Sequence, residues 1–260
     1  MRPSSSLAQA GSLARRSIVR TLRQPQSIVP PMVFPLFLLA VNTGGLESAA
    51  RLPGFPADSY LDFALAFAFM QGALFAVSNG GVDLAKDIQT GFLNRLALTP
   101  LRTSSLLAGQ LAGVAVIGVL QSLLYLAVGF VAGVSIQAGV AGALVLLALS
   151  LMVVVGFGGL GVLFALRTGS GEAVQGLFPL FFATVFLSSA ALPRHLIEAD
   201  WFRIIATYNP VSYFIEGMRS LVIVGWDKQA LALGFGLAIA LMVVGLVGAS
   251  VALRLRLTRT

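Results

Sequence analysis

The sequence predicts an all-α polytopic membrane protein with six transmembrane helices, and three observations carry that expectation. Hydrophobic residues make up 57% of the 260-residue chain and charged ones only 10%, against about 25% charged in soluble domains; the mean hydropathy is +0.92. Uncharged stretches recur at lengths near the roughly 20 residues that cross a bilayer, and the longest, residues 103–166, is long enough for two helices. The basic residues sit beside the ends of these stretches and form no aromatic-interleaved patch. The net charge of +7 therefore points to orientation in a lipid bilayer and not to nucleic acid.

Residues 4–23 come first. Leu7, Ala14, Ile18 and Leu22 share one helical face and Arg16, Arg20 and Arg23 the other, the pattern of an interface helix with its apolar side in the headgroup layer. Residues 28–46 form span one. Pro30, Pro31 and Pro35 crowd its first half and predict a kinked start; a helix that begins after Pro31 is the alternative. Residues 47–62 read as an external loop, and residues 63–82 as span two.

Residues 83–102 carry charge between two long uncharged regions. Leu84, Ile88 and Phe92 are spaced by four, and Gly91 and Pro100 limit how far one helix can run. The segment predicts a short amphipathic helix that lies in water or against a protein partner, because lipid cannot satisfy its charges. Spans three and four, residues 103–132 and 140–166, meet at the glycine-flanked turn 133–139. Gly109 with Gly113, and Gly156, Gly158, Gly159 and Gly161, allow close helix approach.

Span five covers residues 173–192. Its Phe178, Phe182 and Phe186 suit either helix packing or a greasy cargo route. Residues 193–228 are irregular, and Trp201 and Trp226 within them prefer a membrane interface. Their apolar pieces are too short to cross, which predicts two re-entrant half-helices. Asp200 is placed to cap the first, and Asn209 with Pro210 to open the second. Glu216 and Arg219, three apart, could pair on one face. Span six is residues 229–253.

With six spans, both termini, segment 83–102 and the Arg167 turn share one side, which holds 12 of the 17 Lys and Arg. Basic residues near span ends stay in the cytoplasm, so both termini are expected there. Neither Lys86 nor Lys228 follows a glycine to complete a phosphate-binding loop. The chain has no cysteine and one histidine, which argues against a metal or nucleophile site. Energy for transport would have to come from another subunit, and no cofactor is expected on this chain.

The run Gly91-Phe92-Leu93-Asn94-Arg95-Leu96, followed by Thr99-Pro100 and Arg102, resembles the cytoplasmic coupling segment of ABC-2 type exporter permeases, particularly the daunorubicin-resistance branch. Residues 209–219, NPVSYFIEGMR, resemble that family's signature before its last span. The resemblance implies two cytoplasmic ABC ATPase subunits that carry ATP and Mg, and a second permease copy or paralogue. It implies a bacterial cytoplasmic membrane and amphiphilic, drug-like or lipid-like cargo. Asp87, Gly91, Phe92, Arg95, Thr99 and Pro100 would couple to the ATPase, and Asn209, Pro210, Glu216 and Arg219 would form an extracellular gate. A lipid-linked glycan exporter is the alternative within this class. An ion-coupled secondary transporter is the alternative outside it, disfavoured by the absence of charge from spans three and four.

Overall fold

The computed structural model describes residues 6–97 and 103–257, and among these every regular element is a helix. In chain order they are α1 (Ser6–Leu22), α2 (Pro25–Leu46), α3 (Tyr60–Gln89), α4 (Phe92–Ala97), α5 (Thr103–Val131), α6 (Gly139–Thr168), α7 (Gly171–Phe186), α8 (Asp200–Tyr208), α9 (Pro210–Ile223) and α10 (Lys228–Leu257). Short 3-10 turns stand at Glu47–Arg51 and Arg194–Leu196. Five helices, α2, α3, α5, α6 and α10, are long and apolar enough to cross a membrane. The chain is an all-helical polytopic membrane protein.

Local chemistry sets the helix ends. The Ser59 and Ser170 hydroxyls accept backbone N–H bonds from Leu61 and Ala173 and open α3 and α7, which satisfies donors that a helix start leaves orphaned. Asp227 does the same for α10 through the N–H groups of Gln229 and Ala230. For α9 the Asn209 side chain accepts from Val211 N–H and Pro210 takes the first turn, as the sequence predicts. The first half-helix differs, because Ala199 and not Asp200 is its cap, and Asp200 pairs with Arg203 instead.

Three spans depart from their expected limits. Span two continues through the boundary at 82 to Gln89, since nothing breaks the helix before Gly91, whose φ of +68 suits a residue without Cβ. Leu84 and Ile88 thus belong to the end of α3, and only Phe92–Ala97 is a separate helix. Span one starts at Pro25, with its three prolines inside one continuous helix. The expected fifth span is the shorter helix α7, of 16 residues; at 1.5 Å per residue this is about 24 Å, less than the hydrocarbon core of about 30 Å. The remaining residues, 187–192, turn away as irregular chain.

Within the bundle α6 packs between α3 and α10. Its glycines make this possible on two faces: a Cβ at Gly158 or Gly161 would strike Val114 of α5 or the Val77 backbone of α3, and one at Gly156 or Gly159 would strike Leu241 or Gly245 of α10. The glycine run expected to aid packing therefore serves contacts within one chain. The short helix α9 is inserted among α3, α6 and α10, and most of its side chains are buried. α2 and α7 both lie on α3.

The two ends of the bundle are built differently. At one, here the α1 end, α1 lies along α5, the last turn of α3 meets α1, and Arg256 donates to the Leu166 carbonyl at 2.8 Å. At the opposite end the Tyr60 hydroxyl donates to Ala191 O at 3.0 Å. There the α5–α6 turn is bound to α9 by Gln137 N–H to Val222 O and Ala138 N–H to Leu221 O, both 3.1 Å.

Candidate functional site: the α1 end and the opposite-end lock

At the α1 end two arginines of the basic face of α1 are turned onto α3. Arg16 donates to both carboxylate oxygens of Asp87, at 3.2 and 3.0 Å. Arg20 bonds Asp87 at 2.9 Å and Asp83 at 2.8 Å. Asp83 and Asp87 are four apart, so they fall on one face of α3, and the two arginines, also four apart, meet them as a matched pair of rows. Arg23 is exposed. The Arg16 guanidinium also lies 3.8 Å from the centre of the Phe92 ring, close enough for a cation–π contact. One clamp thus joins α1, the end of α3 and the start of α4.

This arrangement sorts the residues expected to couple. Phe92 is half-buried beneath Arg16, Leu93 is buried, and Arg95 is exposed. Asp87 is buried within the clamp and holds it together. Gly91 supplies the turn that aims α4 away from α3. Thr99 and Pro100 lie outside the described residues. Thr21, Ser17 and Leu13 of α1 press on Gly113 and Gly109 of α5, and Ser17 Oγ bonds Gln110 O at 3.2 Å.

Beside this clamp, the prolines of α2 leave carbonyls that no N–H four residues on can reach. Two side chains from other helices take their place. Pro31 cannot donate to Ser27 O, and the Asn79 amide of α3 bonds it at 3.1 Å. Pro35 cannot donate to Pro31 O, and the Tyr125 hydroxyl of α5 bonds that carbonyl instead. Gly72 makes room, since a Cβ there would collide with the Tyr125 hydroxyl. A cavity of about 560 Å³ opens here between α2, α3 and α7. Deeper along α3, Phe178 stacks on Phe182 with ring centres 5.5 Å apart, and Phe182 meets Phe186 at 5.2 Å. Phe75 and Phe34 join the ladder from α3 and α2.

At the opposite end Glu216 and Arg219 do not pair with each other. Glu216 accepts from Arg194 and from Ser189 Oγ. Arg219, only 6% exposed, donates to three backbone carbonyls, those of Phe63, Ser189 and Ala190, each at 3.0 Å. Its guanidinium also stacks 3.4 Å from the centre of the Phe63 ring. The Asn209 amide bonds Thr184 O at 2.6 Å and Leu187 O at 2.9 Å. Asn209 and Arg219 of one short helix thus cap the unravelled end of α7. Irregular backbone inside a membrane protein persists where protein groups satisfy it in this way. His195 bonds Gly54 O at 2.9 Å and takes no part in this lock.

Sequence reasoning missed the partners Asp83, Asn79, Tyr125, Arg194 and Ser189. The signal for two of them was present: a proline at position i of a helix orphans the carbonyl at i−4, and a polar residue on a neighbouring span is the natural donor.

The model of the ABC-2 type transporter family matches residues 8–223, from α1 through α9, so it takes in both the clamp and the lock. The chain belongs to the ABC-2 type transporter family. Members are membrane components of ABC transporters and work with an ABC ATPase subunit. Among similar proteins, the transport permease ycf38 of Porphyra purpurea is 26% identical over 252 residues, covering 90% of this chain and 84% of its own. The protein of that name in Cyanophora paradoxa is 25% identical, over 80% of this chain and 72% of its own. The doxorubicin resistance ABC transporter permease DrrC of Mycobacterium tuberculosis is 22% identical, over 84% of this chain and 78% of its own.

Proposed function

We propose that the chain is the permease of an ATP-driven exporter for amphiphilic, drug-like or lipid-like cargo. Two permeases, identical or paralogous, would combine with two ATPase subunits, and ATP and Mg would bind on those subunits only. In this reading the α1 end faces the cytoplasm of a bacterial cell, with both termini inside, as the 12 to 5 division of basic residues favours. The resistance function named for DrrC supports drug-like cargo. Asn209, Pro210, Glu216 and Arg219 would form the external seal, and the ladder Phe178, Phe182, Phe186 the apolar route.

The observation that carries the reading is the clamp. A helix of six residues cannot hold itself together, yet α4 is fixed at one end by Phe92 under Arg16 and leaves Arg95 exposed. A push on α4 would pass through Arg16 to Asp87 and into α3, the helix at the centre of the permease. Because Phe92 is partly occupied within the chain, Arg95 is the better outward contact. Arg95→Ala should weaken association with the ATPase about tenfold, equal to about 1.4 kcal/mol, with permease level unchanged. Co-purification of the ATPase and cargo-stimulated ATP hydrolysis measure this. Undiminished recovery and stimulation would remove α4 from the contact.

A further inference from the structure

We propose that the cavity between α2, α3 and α7 binds the uncharged, hydroxyl-rich head of an amphiphile whose apolar body lies along the phenylalanine ladder. This rests on the exporter reading and adds the chemistry of the cargo to it.

The cavity lining changes character along its length. Four amides, those of Gln26, Asn79, Gln89 and Gln175, and the hydroxyls of Ser27 and Ser78 line it, with Phe75 and Phe178 at its apolar part. Those two rings are 4.9 Å apart, centre to centre, and continue directly into Phe182 and Phe186. A polar pocket joined to an aromatic row matches a molecule with one wet and one greasy end.

Charge decides the kind of head. Asp83 is neutralised by Arg20, and the two other charges lining the cavity, Lys86 and Glu172, are of opposite sign. No excess of either sign remains to repay the desolvation of an ionic head. Amides, by contrast, present donors and acceptors side by side, which suits a sugar or polyol whose hydroxyls both donate and accept. The side chains of Ser78 and Gln175 line the cavity without a hydrogen bond to the protein among the described residues, so both are available to such a head.

The site also touches the proline-rich start of α2. Asn79 spends its amide donor on the Ser27 carbonyl that Pro31 orphans, and both residues line the cavity. A bound hydroxyl can compete for that carbonyl and loosen α2 from α3, so occupancy of the cavity acts on the proline-rich start of α2.

The test uses full-length permease in phosphatidylcholine nanodiscs and the fluorescent aryl glucoside 4-methylumbelliferyl β-glucoside as probe. Competitors with one common tail, dodecyl β-maltoside, dodecyl phosphate and dodecyltrimethylammonium, are added below micelle formation. Saturable probe binding is expected, displaced by the maltoside at least tenfold more effectively than by either ion. Ser78→Ala with Gln175→Ala should weaken it about tenfold without change in unfolding temperature, whereas Phe178→Ala should weaken maltoside more than glucoside, which separates lipid-like from drug-like bodies. Equal displacement by all three tails, or wild-type binding by the double variant, overturns the proposal. If binding fails while the ATPase complex still shows cargo-stimulated hydrolysis, the exporter reading stands and only the head-group assignment falls.

Discussion

The two ends of the permease both rely on arginine, in opposite ways. At the α1 end Arg16 and Arg20 meet carboxylates: Asp87 between them is buried, but the Arg16 side chain is 41% exposed and the Arg20–Asp83 pair is partly exposed, so water reaches the clamp from one side. At the opposite end Arg219 is buried and meets no carboxylate, only three carbonyl dipoles and an aromatic face. A water-facing ion pair is weak and salt-sensitive, and so can open and close. A buried guanidinium with its donors filled by backbone is costly to disturb, because removal strands every group it served. The difference assigns flexibility to the α1 end and rigidity to the lock.

The strongest way to break that comparison is Arg219→Lys. Lysine keeps the charge but cannot span three carbonyls in one plane, and two of those carbonyls, of Ser189 and Ala190, lie in the irregular chain after α7. A loss of about 3 kcal/mol or more is expected, read as a large fall in unfolding temperature in detergent and in permease level. A near-normal unfolding temperature would show that the carbonyls find other partners, and the lock would be no stiffer than the clamp.

Asp87→Ala attacks the clamp itself. It strands the partly exposed Arg16 and leaves Arg20 with Asp83 alone, so the cost is about 1 to 2 kcal/mol, confined to α1 and α4. Amide exchange in α1 should accelerate while the unfolding temperature of the bundle stays close to that of the wild type. Wild-type α1 should also exchange faster at 1 M salt, where the screening length is about 3 Å, and the variant, left with only the Arg20–Asp83 pair, should show a smaller salt response. A salt-insensitive wild type would mean that packing on Gly109 and Gly113, not charge, holds α1.

How much of this was legible in the sequence follows from what each feature depends on. Spans three, four and six declare themselves through uninterrupted apolar length, and the cap at Asn209-Pro210 is local chemistry. The end of span two was misplaced because charge at Asp83 looks like a water-facing boundary. It is one only if no cation comes from elsewhere in the chain, and Arg20 comes from 63 residues away. The same holds for Glu216: sequence spacing offers Arg219 as its partner, whereas tertiary structure brings Arg194. Span five reads as full length because residues 187–192 carry no charge, and only the side-chain donors that Asn209 and Arg219 offer to their carbonyls let the helix stop at Phe186.

Tyr125→Phe sharpens the comparison at an intermediate depth. It removes one hydroxyl and leaves the Pro31 carbonyl without a donor, while the ring still meets Phe69 edge-on at 5.4 Å. Hydrogen bonds between membrane helices contribute about 0.6 to 1 kcal/mol, so a small loss of thermal stability is expected, with faster exchange at the start of α2. An unchanged variant would indicate that α2 does not need the bond.

The smallest effect should come from the most exposed pair, Asp200 and Arg203, one turn apart on α8 with side chains 78% and 46% exposed. Water already solvates both charges, and such a pair contributes only about 0.2 to 0.5 kcal/mol. Asp200→Asn should therefore leave unfolding temperature and permease level unchanged within error. Arg203→Ala should cost somewhat more, because Arg203 also donates to the Ile197 carbonyl at 3.2 Å, which then loses its bond. The two variants measured side by side separate charge from backbone satisfaction at one arginine. If Asp200→Asn is instead the more damaging, a water-facing ion pair outweighs backbone satisfaction at this end too, and the division between a water-facing clamp and a lock held by buried Arg219 on backbone carbonyls does not hold.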